Sequence, residues 1–495
     1  MPPLTLLALA LASPFYQIHV VDAETGRGVP LVELETVNKV LHLTDSGGWI
    51  AFNEPGMMGK KVYFHVRSHG YEVPADGFGY RGVALDVKPG GSAEIRLKRI
   101  NLAERLCRLT GAGIYRDSLL LGKRIPLREP VLNREVLGQD TAQAIVHRGR
   151  MLWFWGDTDR LSYPLGNFQT TGAFARFPKG APDARNGLEF SYFESEDGFV
   201  KKLVPGDKPG PIWISGLVQY GPRGGEELYA YYSRMKSLGE KHEHGIVKWS
   251  EAKREFEIVR EIPLSQDWQH LEGHVTRFLD DALAFNAGGF CFPGVRVRAD
   301  EASHLRPEAY EAFTCLNADG SVRNSANGRP EYRWQSELPP IQPADEMRLV
   351  KEGKLAKSEA RYLPVDAQGT IIVPHGGSVD WNDWRKKWIA IFTRFEGKDS
   401  LLGEIYYSEA DHPTGPWTRA AKVATHDRYT FYNPVRHAFL DTDGGRVIYF
   451  EGTYTHEFSG NPSATPRYNY NQILYRLDLA SITLVDKPPA ETTHK

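Results

Sequence analysis

Paired strand-like runs recur through most of this chain, and this repetition restricts the fold more than any other feature. Each pair consists of an apolar or aromatic run, a short polar turn and a second such run. No long amphipathic helix is evident between residues 125 and 480. Five such pairs lead the repeating units, at residues 141–157, 211–235, 274–290, 371–395 and 432–454.

The number of these units is typical of a β-propeller. Further strand pairs at residues 243–262 and 404–423 read as the outer strands of two units. Radial repetition of such sheets leaves few open sheet edges. The sequence therefore predicts an all-β fold with a five-bladed β-propeller over residues 125–484, and a β-sandwich is the alternative.

Shorter segments flank the propeller region. Strands and turns alternate through residues 14–100, which predicts a small β-sandwich domain. Residues 101–124 are predicted to be a linker, in which NLAERLCR at 101–108 forms a short helix with Asn101 as its N-cap. The polar residues 485–495 are predicted to form a flexible tail.

Charge and hydropathy exclude several classes of function. The 60 Lys and Arg residues nearly balance the 62 Asp and Glu residues and form no basic stripe, so the sequence does not indicate nucleic-acid binding. The apolar run at residues 4–12 is too short to span a membrane, and small residues end it. Residues 1–13 are therefore predicted to be a signal peptide, and the protein is predicted to be extracellular or periplasmic. No later run reaches the ~18 apolar residues of a membrane span.

One strand pair, GQDTAQAIVHRGRMLWFWGDTDR, carries an acid at each open end. A turn centred on HRGR sets Asp140 opposite Asp157 and sets small alanines opposite tryptophans on the same face. Ionising two carboxyl groups this close together costs electrostatic free energy. Either one of them is therefore protonated, or a positive charge from a cation or an Arg lies between them. Glycoside hydrolysis uses such a division of roles between two acids. Alternatively, Asp157 caps the following turn and Asp140 pairs with Arg160.

Blade geometry predicts which other side chains approach the two aspartates. The start of the first strand, the end of the second and the start of the third all lie at one end of a blade. We therefore expect one rim to gather Asp140, Asp157, Glu451, Glu404, His274 and His375. In this arrangement Asp140, Asp157 and Glu451 are the candidate catalytic acids. Glu451, at the polar exit of an apolar strand, is the candidate general acid, and Asp157 adjusts the pKa of Asp140 or contacts the transition state.

Polar and aromatic side chains near these strand ends are predicted to bind the substrate. They are Glu404, His274, His375, Asn433, His437, Trp381, Tyr454, Tyr163 and Arg160, with Glu272 and Asp380 as further acids close to first strands. No cofactor is predicted, although His274, His375 and Asp157 are residue types that hold a single divalent cation.

Four stretches resemble known families. G-Q-D-T…G-R-M-L-W-F-W-G-D-T is similar to the opening of secreted five-bladed propellers related to arabinan-degrading glycosidases, which include endo-D-arabinan hydrolases. S-E-A-D-H-P-T-G-P-W-T resembles an outer-strand phrase of glycoside hydrolase family 43. The first resemblance implies that Asp140 is the base or nucleophile and that Asp157 is the second acid, and it singles out no Glu as general acid. V-D-A-E-T-G-R-G-V-P and T-D-S-G-G-W resemble the transthyretin-like domain of carboxypeptidases, which implies an accessory domain.

These features predict an exported carbohydrate-active enzyme that hydrolyses the glycosidic bonds of a polysaccharide or oligosaccharide. A polysaccharide lyase is the second interpretation, because a His or Tyr base and an Arg are available in His274, His375, Tyr432 and Arg394. The third is a non-catalytic carbohydrate-binding surface protein. The sugar and the oligomeric state do not follow from the sequence.

Overall fold

The computed structural model describes residues 13–484 except 168, 207, 222–226, 279–281, 287–290 and 399. Apart from residue 13, the predicted signal peptide and the predicted tail lie outside the described residues, and both stay predictions. The chain divides into two compact units, one of residues 1–100 and 113–126 and the other of residues 101–112 and 127–495. The boundary between the units therefore runs through the predicted linker.

The first unit is a sandwich of two four-stranded sheets. Its strands are β1 (Tyr16–Asp22), β2 (Glu33–Thr36), β3 (Leu41–Leu43), β4 (Trp49–Phe52), β5 (Lys60–Arg67), β6 (Tyr71–Glu72), β7 (Gly82–Val87) and β8 (Ser92–Arg99). One sheet has the order β4-β1-β8-β6 and the other the order β3-β2-β5-β7. Alternate residues of both sheets, such as Ile18, Leu34, Phe64 and Leu97, form a common core.

The predicted helix at residues 101–108 is wrong. These residues contain a strand, β9 (Glu104–Arg108), which belongs to the second unit, and the first unit instead has a short helix, α1 (Arg116–Leu120). Every residue of β9 is buried. A strand covered on both faces lacks the period-two alternation that identifies a half-exposed strand, and its polar residues imitate the polar face of a helix.

The second unit consists mainly of antiparallel strands. They are β10 (Val136–Gln139), β11 (Gln143–His147), β12 (Arg150–Trp155), β13 (Thr158–Arg160), β14 (Tyr163–Asn167), β15 (Thr171–Arg176), β16 (Glu189–Tyr192), β17 (Ile212–Tyr220), β18 (Glu227–Ser237), β19 (Glu240–Ser250), β20 (Glu255–Ile262), β21 (Val275–Arg277), β22 (Ala282–Asn286), β23 (Pro293–Arg298), β24 (Glu311–Thr314), β25 (Arg333–Gln335), β26 (Pro374–Asn382), β27 (Lys387–Arg394), β28 (Glu404–Ala410), β29 (Ala420–Thr425), β30 (Thr430–Arg436), β31 (Val447–Thr455) and β32 (Asn471–Asp478). Two helices, α2 (Glu301–His304) and α3 (Pro343–Lys351), lie in the connections around β24 and β25.

Within the described residues, these strands form five successive sheets of four or five strands and one smaller sheet, β10-β13-β14. The five are β11-β12-β15-β16, β17-β18-β19-β20, β21-β22-β23-β24-β25, β26-β27-β28-β29 and β30-β31-β32-β9. Because β9 precedes all the others in the second unit, its pairing with β32 joins the beginning of this unit to its last sheet.

Successive sheets pack against one another. Phe154 of the first sheet and Trp249 of the second have ring centroids 5.6 Å apart, and Trp153 of the first sheet shares a core with Tyr449 of the fifth. The first strands of all five sheets contribute to the wall of one cavity. This is the arrangement of a β-propeller, so the all-β prediction is confirmed. No helix among the described residues is long and apolar enough to cross a membrane.

Candidate active site

The hairpin β11–β12 has the register that the sequence predicts. Ala144 pairs with Trp153, and the same register continues beyond the hairpin, where Gln139 of β10 pairs with Thr158 of β13. Asp140 and Asp157 face each other in this register. The Asp140 N–H donates to the Asp157 carbonyl over 3.3 Å, and the Gly156 N–H donates to the Asp140 carbonyl over 2.9 Å. The two acids therefore lie side by side at the open end of the hairpin.

The Asp140 carboxyl group is enclosed by hydrogen-bond donors. Its Oδ1 accepts the Asp157 N–H at 2.8 Å, and its Oδ2 accepts the Tyr432 hydroxyl at 2.8 Å and the Thr141 hydroxyl at 3.3 Å. Tyr470 is a further side-chain partner. Burial raises the pKa of Asp140, and these hydrogen bonds act in the opposite direction because they favour the charged form.

The backbone around Asp140 is shaped for close approach. A Cβ atom at Gly156 would lie 2.4 Å from Asp140 Oδ1, so only glycine leaves room for the carboxylate at this distance. Thr141 has a φ of 48° and Asn433 a φ of 47°, which is an uncommon backbone conformation for residues with side chains. Asn433 Nδ2 donates to the Thr141 hydroxyl at 3.0 Å, which ties the two strained residues together. Such strain is typical of functional sites.

The Asp157 carboxyl group is almost enclosed and carries a strongly shifted pKa. It is 9 % exposed, and its Oδ1 accepts the indole N–H of Trp213 from the second sheet at 2.7 Å. Burial is the main cause that raises the pKa of Asp157 to about 7, and the charge of Asp140 is the next, with smaller contributions from Asp159 and Glu457. A carboxyl group with such a pKa is present in both its protonated and its ionised form near neutral pH.

Glu457 is an acid of this site that the sequence analysis missed. It lies two residues beyond the end of β31, as Asp157 lies two residues beyond the end of β12. Its side chain is exposed, and burial and the charges of Asp140 and Asp159 raise its pKa. The sequence feature that indicates Glu457 is its position two residues after β31, which matches the position of Asp157 after β12. The sequence also does not predict that Tyr470 and Trp213 contact the acid pair. It indicates Tyr432 only as a candidate lyase base.

The predicted general acid Glu451 does not reach the acid pair. It lies in the middle of β31 with no exposed surface, between the fifth and first sheets. Its Oε1 accepts the Trp153 indole N–H at 2.7 Å and lies 2.6 Å from His437 Nε2. The expectation that Glu451 joins Asp140 on one rim is wrong, because β31 continues through Thr455 and places the end of the strand beyond Glu451. The predicted substrate contact His437 is a partner of this buried glutamate.

Glu404 and His274 also lie apart from the two aspartates. Arg394 and Lys422 bind the Glu404 carboxylate at 3.1 and 2.8 Å, in a separate cavity of about 290 Å³. His274 contributes to the wall of the cavity between the first strands, as does Asp380. His375 lies near the start of β26 and stacks on Phe395 with centroids 5.9 Å apart.

Of the remaining predicted substrate contacts, Tyr454 and Arg160 have structural partners of their own, and Trp381 and Tyr163 are exposed. Tyr454 is fully buried and its hydroxyl lies 2.9 Å from that of Thr465, so it is not an exposed sugar platform. Arg160 binds Glu135 and Asp197, each at 2.8 Å, and not Asp140. Trp381 is 41 % exposed at the far end of β26, and Tyr163 is 69 % exposed. Glu272 binds Lys241 at 2.7 Å.

Among the described side chains, no three or more His, Cys, Asp or Glu residues are arranged to hold a metal ion. The divalent cation suggested by His274, His375 and Asp157 stays a sequence-based hypothesis.

Comparisons with known proteins give structural likeness only. No protein-family model matches the chain, and no curated protein matches it. Among solved structures, the GH43_1 enzyme from Xanthomonas citri complexed with xylotriose is 12% identical, covers 72% of this chain and 91% of its own, and has a TM-score of 0.34. A putative exo-β-1,3-galactanase from Bifidobacterium bifidum is 10% identical, with coverages of 78% and 98% and a TM-score of 0.38. An α-L-arabinofuranosidase from Fusarium graminearum is 11% identical, with coverages of 77% and 99% and a TM-score of 0.35.

Proposed function

We propose that this chain is an exported glycoside hydrolase that cleaves a polysaccharide or oligosaccharide with Asp140 and Asp157. One observation carries the proposal: a carboxyl group with a pKa of about 7 lies directly beside a second, heavily hydrogen-bonded carboxyl group. Hydrolysis of a glycosidic bond needs one acid that is protonated near neutral pH and a second that is ionised.

The hydrogen bonds support a division of roles between the two acids. Asp140 accepts several donors, which favour its charged form, whereas Asp157 accepts the Trp213 indole and carries the repulsion of neighbouring charges. We therefore assign the proton that the pair retains to Asp157, whose pKa is raised to about 7. Because Trp213 donates to Oδ1, that proton lies on Oδ2, from which it passes to the glycosidic oxygen as the bond breaks. Asp140 then either activates water or attacks the anomeric carbon.

The lyase interpretation has weaker support. A lyase needs a cation or Arg to neutralise the substrate carboxylate next to its base. Arg394 is bound to Glu404 in a separate cavity, and His274 lies in the cavity between the first strands. Of the four lyase candidates, Tyr432 contacts the acid pair, where it donates a hydrogen bond to Asp140.

The test is product analysis with the full chain on a panel of arabinans, xylans, galactans and other polysaccharides. We expect new reducing ends from the wild type, and a loss of about 100-fold or more in Asp140→Asn and in Asp157→Asn, since a general acid or base contributes this much. Glu404→Gln is the matched control and retains activity. The anomer of the first product shows whether Asp140 acts as base or nucleophile.

Two results would contradict the proposal. Unsaturated products would identify a lyase. Sugar binding by a folded protein that forms no product from any glycan would identify a carbohydrate-binding protein, and the facing aspartates would then be a structural pair.

A further inference from the structure

The channel of the propeller contains a cavity of about 400 Å³, which the proposed hydrolysis does not use. Its walls come mainly from the first strand of every sheet, which are β11, β17, β21, β26 and the end of β30, with Leu283 of β22 and residues 437–439 completing them. On β11 and β30 the lining residues follow Asp140 and Tyr432 in the chain, so the cavity lies farther along the channel than the acid pair. Its volume is in the ordinary range for small-molecule sites, about 300–1,000 Å³.

Two polar side chains in this wall, Asp380 and His274, form no side-chain hydrogen bond or ion pair within the described residues. Their interactions there are electrostatic, between Asp380 and both Arg436 and His437, and between His274 and His437. Burial raises the pKa of Asp380 and lowers the pKa of His274 to about 3, so His274 is neutral and offers one donor and one acceptor. Unpaired polar groups facing a cavity are costly unless a ligand or water binds them.

The charges of the lining balance one another. Arg436 is paired with the buried Asp441, and His437 lies 2.6 Å from Glu451. Besides these pairs, the lining contains one further acidic side chain, Asp380, and one further basic side chain, the exposed Arg277, so neither type is in excess to select an ion. Phe439 also lines the cavity, is 38 % exposed, and offers an apolar surface for the carbon face of a sugar ring.

We propose that this cavity binds a neutral molecule with several hydroxyl groups, of the size of a monosaccharide. A hydroxyl group both donates and accepts, and therefore satisfies Asp380 as an acceptor and His274 in either sense. The site is distinct from the acid pair, so its occupancy does not depend on the proposed hydrolysis.

Titration of the full chain with free arabinose, xylose, galactose and glucose tests this inference, with binding followed by calorimetry and by saturation-transfer NMR. We expect at least one sugar to bind, and Asp380→Asn and Asp380→Leu each to weaken that binding by tenfold or more. Asp140→Asn is the matched control at the acid pair and keeps the wild-type affinity. Circular dichroism verifies that each variant is folded.

Three results would overturn the inference. In the first, none of the sugars binds to the folded wild type. In the second, binding is lost in Asp140→Asn but kept in both Asp380 variants, which would locate the sugar at the acid pair. In the third, a charged analogue such as gluconate or glucosamine binds more tightly than the neutral sugars.

Discussion

Asp157 lowers the stability of the folded protein when it ionises, and this cost is informative about its role. Its pKa rises from 3.8 to about 7 on folding, so the folded protein binds this proton more tightly than the unfolded chain. Stability therefore falls as the pH rises from about 4 to about 7. An exposed turn cap has the opposite signature, because hydrogen bonds to a carboxylate lower its pKa and little burial opposes them.

The variant Asp157→Asn separates these two roles. We expect it to lose hydrolysis and to gain roughly 1–3 kcal/mol in the free energy of unfolding at pH 8, because the ionisation cost is removed. Asp197→Asn is the contrast: hydrogen bonds from Ser195, Phe199 N–H and Arg160 lower the pKa of Asp197 to about 2, so its loss destabilises the protein above about pH 4. Urea unfolding at pH 5 and pH 8 measures both. A less stable Asp157→Asn would assign Asp157 to the turn.

Tyr432→Phe tests how the Asp140 carboxylate is kept ionised. The Tyr432 hydroxyl lowers the pKa of Asp140, so its removal raises that pKa further. We expect the acidic limb of the kcat/KM profile to move to higher pH. Tyr454→Phe is the control, because the Tyr454 hydroxyl is buried against Thr465 away from the acids. An unchanged acidic limb in Tyr432→Phe would remove Asp140 from the role of base or nucleophile.

At the residue scale, the sequence predicts contacts between side chains that are close in the chain, and it does not predict contacts between distant ones. The facing of Asp140 and Asp157 depends on one turn and one alternating pattern, both within the same short segment. Tyr432, Tyr470 and Glu457 reach the site from the other end of the chain, through the closure of the ring. The end of β31 depends on tertiary packing, which the local sequence does not reveal. Because β31 continues past Glu451, the sequence predicts Glu451 and not Glu457 as the acid at the end of this strand.

At the scale of elements, the connection from β12 to β13 holds the two acids in register. Gly156→Ala would insert a methyl group 2.4 Å from Asp140 Oδ1, so we expect activity to fall at least tenfold while the fold is kept. Gly149→Ala in the β11–β12 turn is the matched variant: its φ is +74° and the space around it is open. It should lose about 1 kcal/mol of stability and keep its activity. Equal activity in the two variants would refute a positioning role for this connection.

Strand β9 is an example of an element that the hydrophobic pattern of the sequence does not predict. The predicted strand pairs are half-exposed or strongly apolar and carry clear turns, so local sequence identifies them. In β9, Arg105 and Arg108 are buried among partners that the chain supplies far away. Only the pairing with β32 shows that these five residues complete a sheet, and that pairing joins segments from the two ends of the second unit.

At the scale of the whole molecule, the two units have separate cores. The core of the first unit contains Leu97, and a cluster in the second unit contains Leu106 of β9 together with Trp153 and Trp155 of the acid-bearing hairpin. Both leucines are fully buried. Strand β9 therefore couples closure of the last sheet to the support of the candidate active site.

This coupling predicts different consequences for two equivalent truncations. Leu106→Ala and Leu97→Ala should each cost about 2–5 kcal/mol, since each removes a buried leucine side chain. Leu106→Ala should also lower activity, because the cavity it leaves borders the packing under Trp153 and Trp155. Leu97→Ala should destabilise the first unit while hydrolysis continues at the wild-type rate. Calorimetric unfolding combined with reducing-end assays measures both properties, and an equal loss of activity in the two variants would mean that the two units do not act independently.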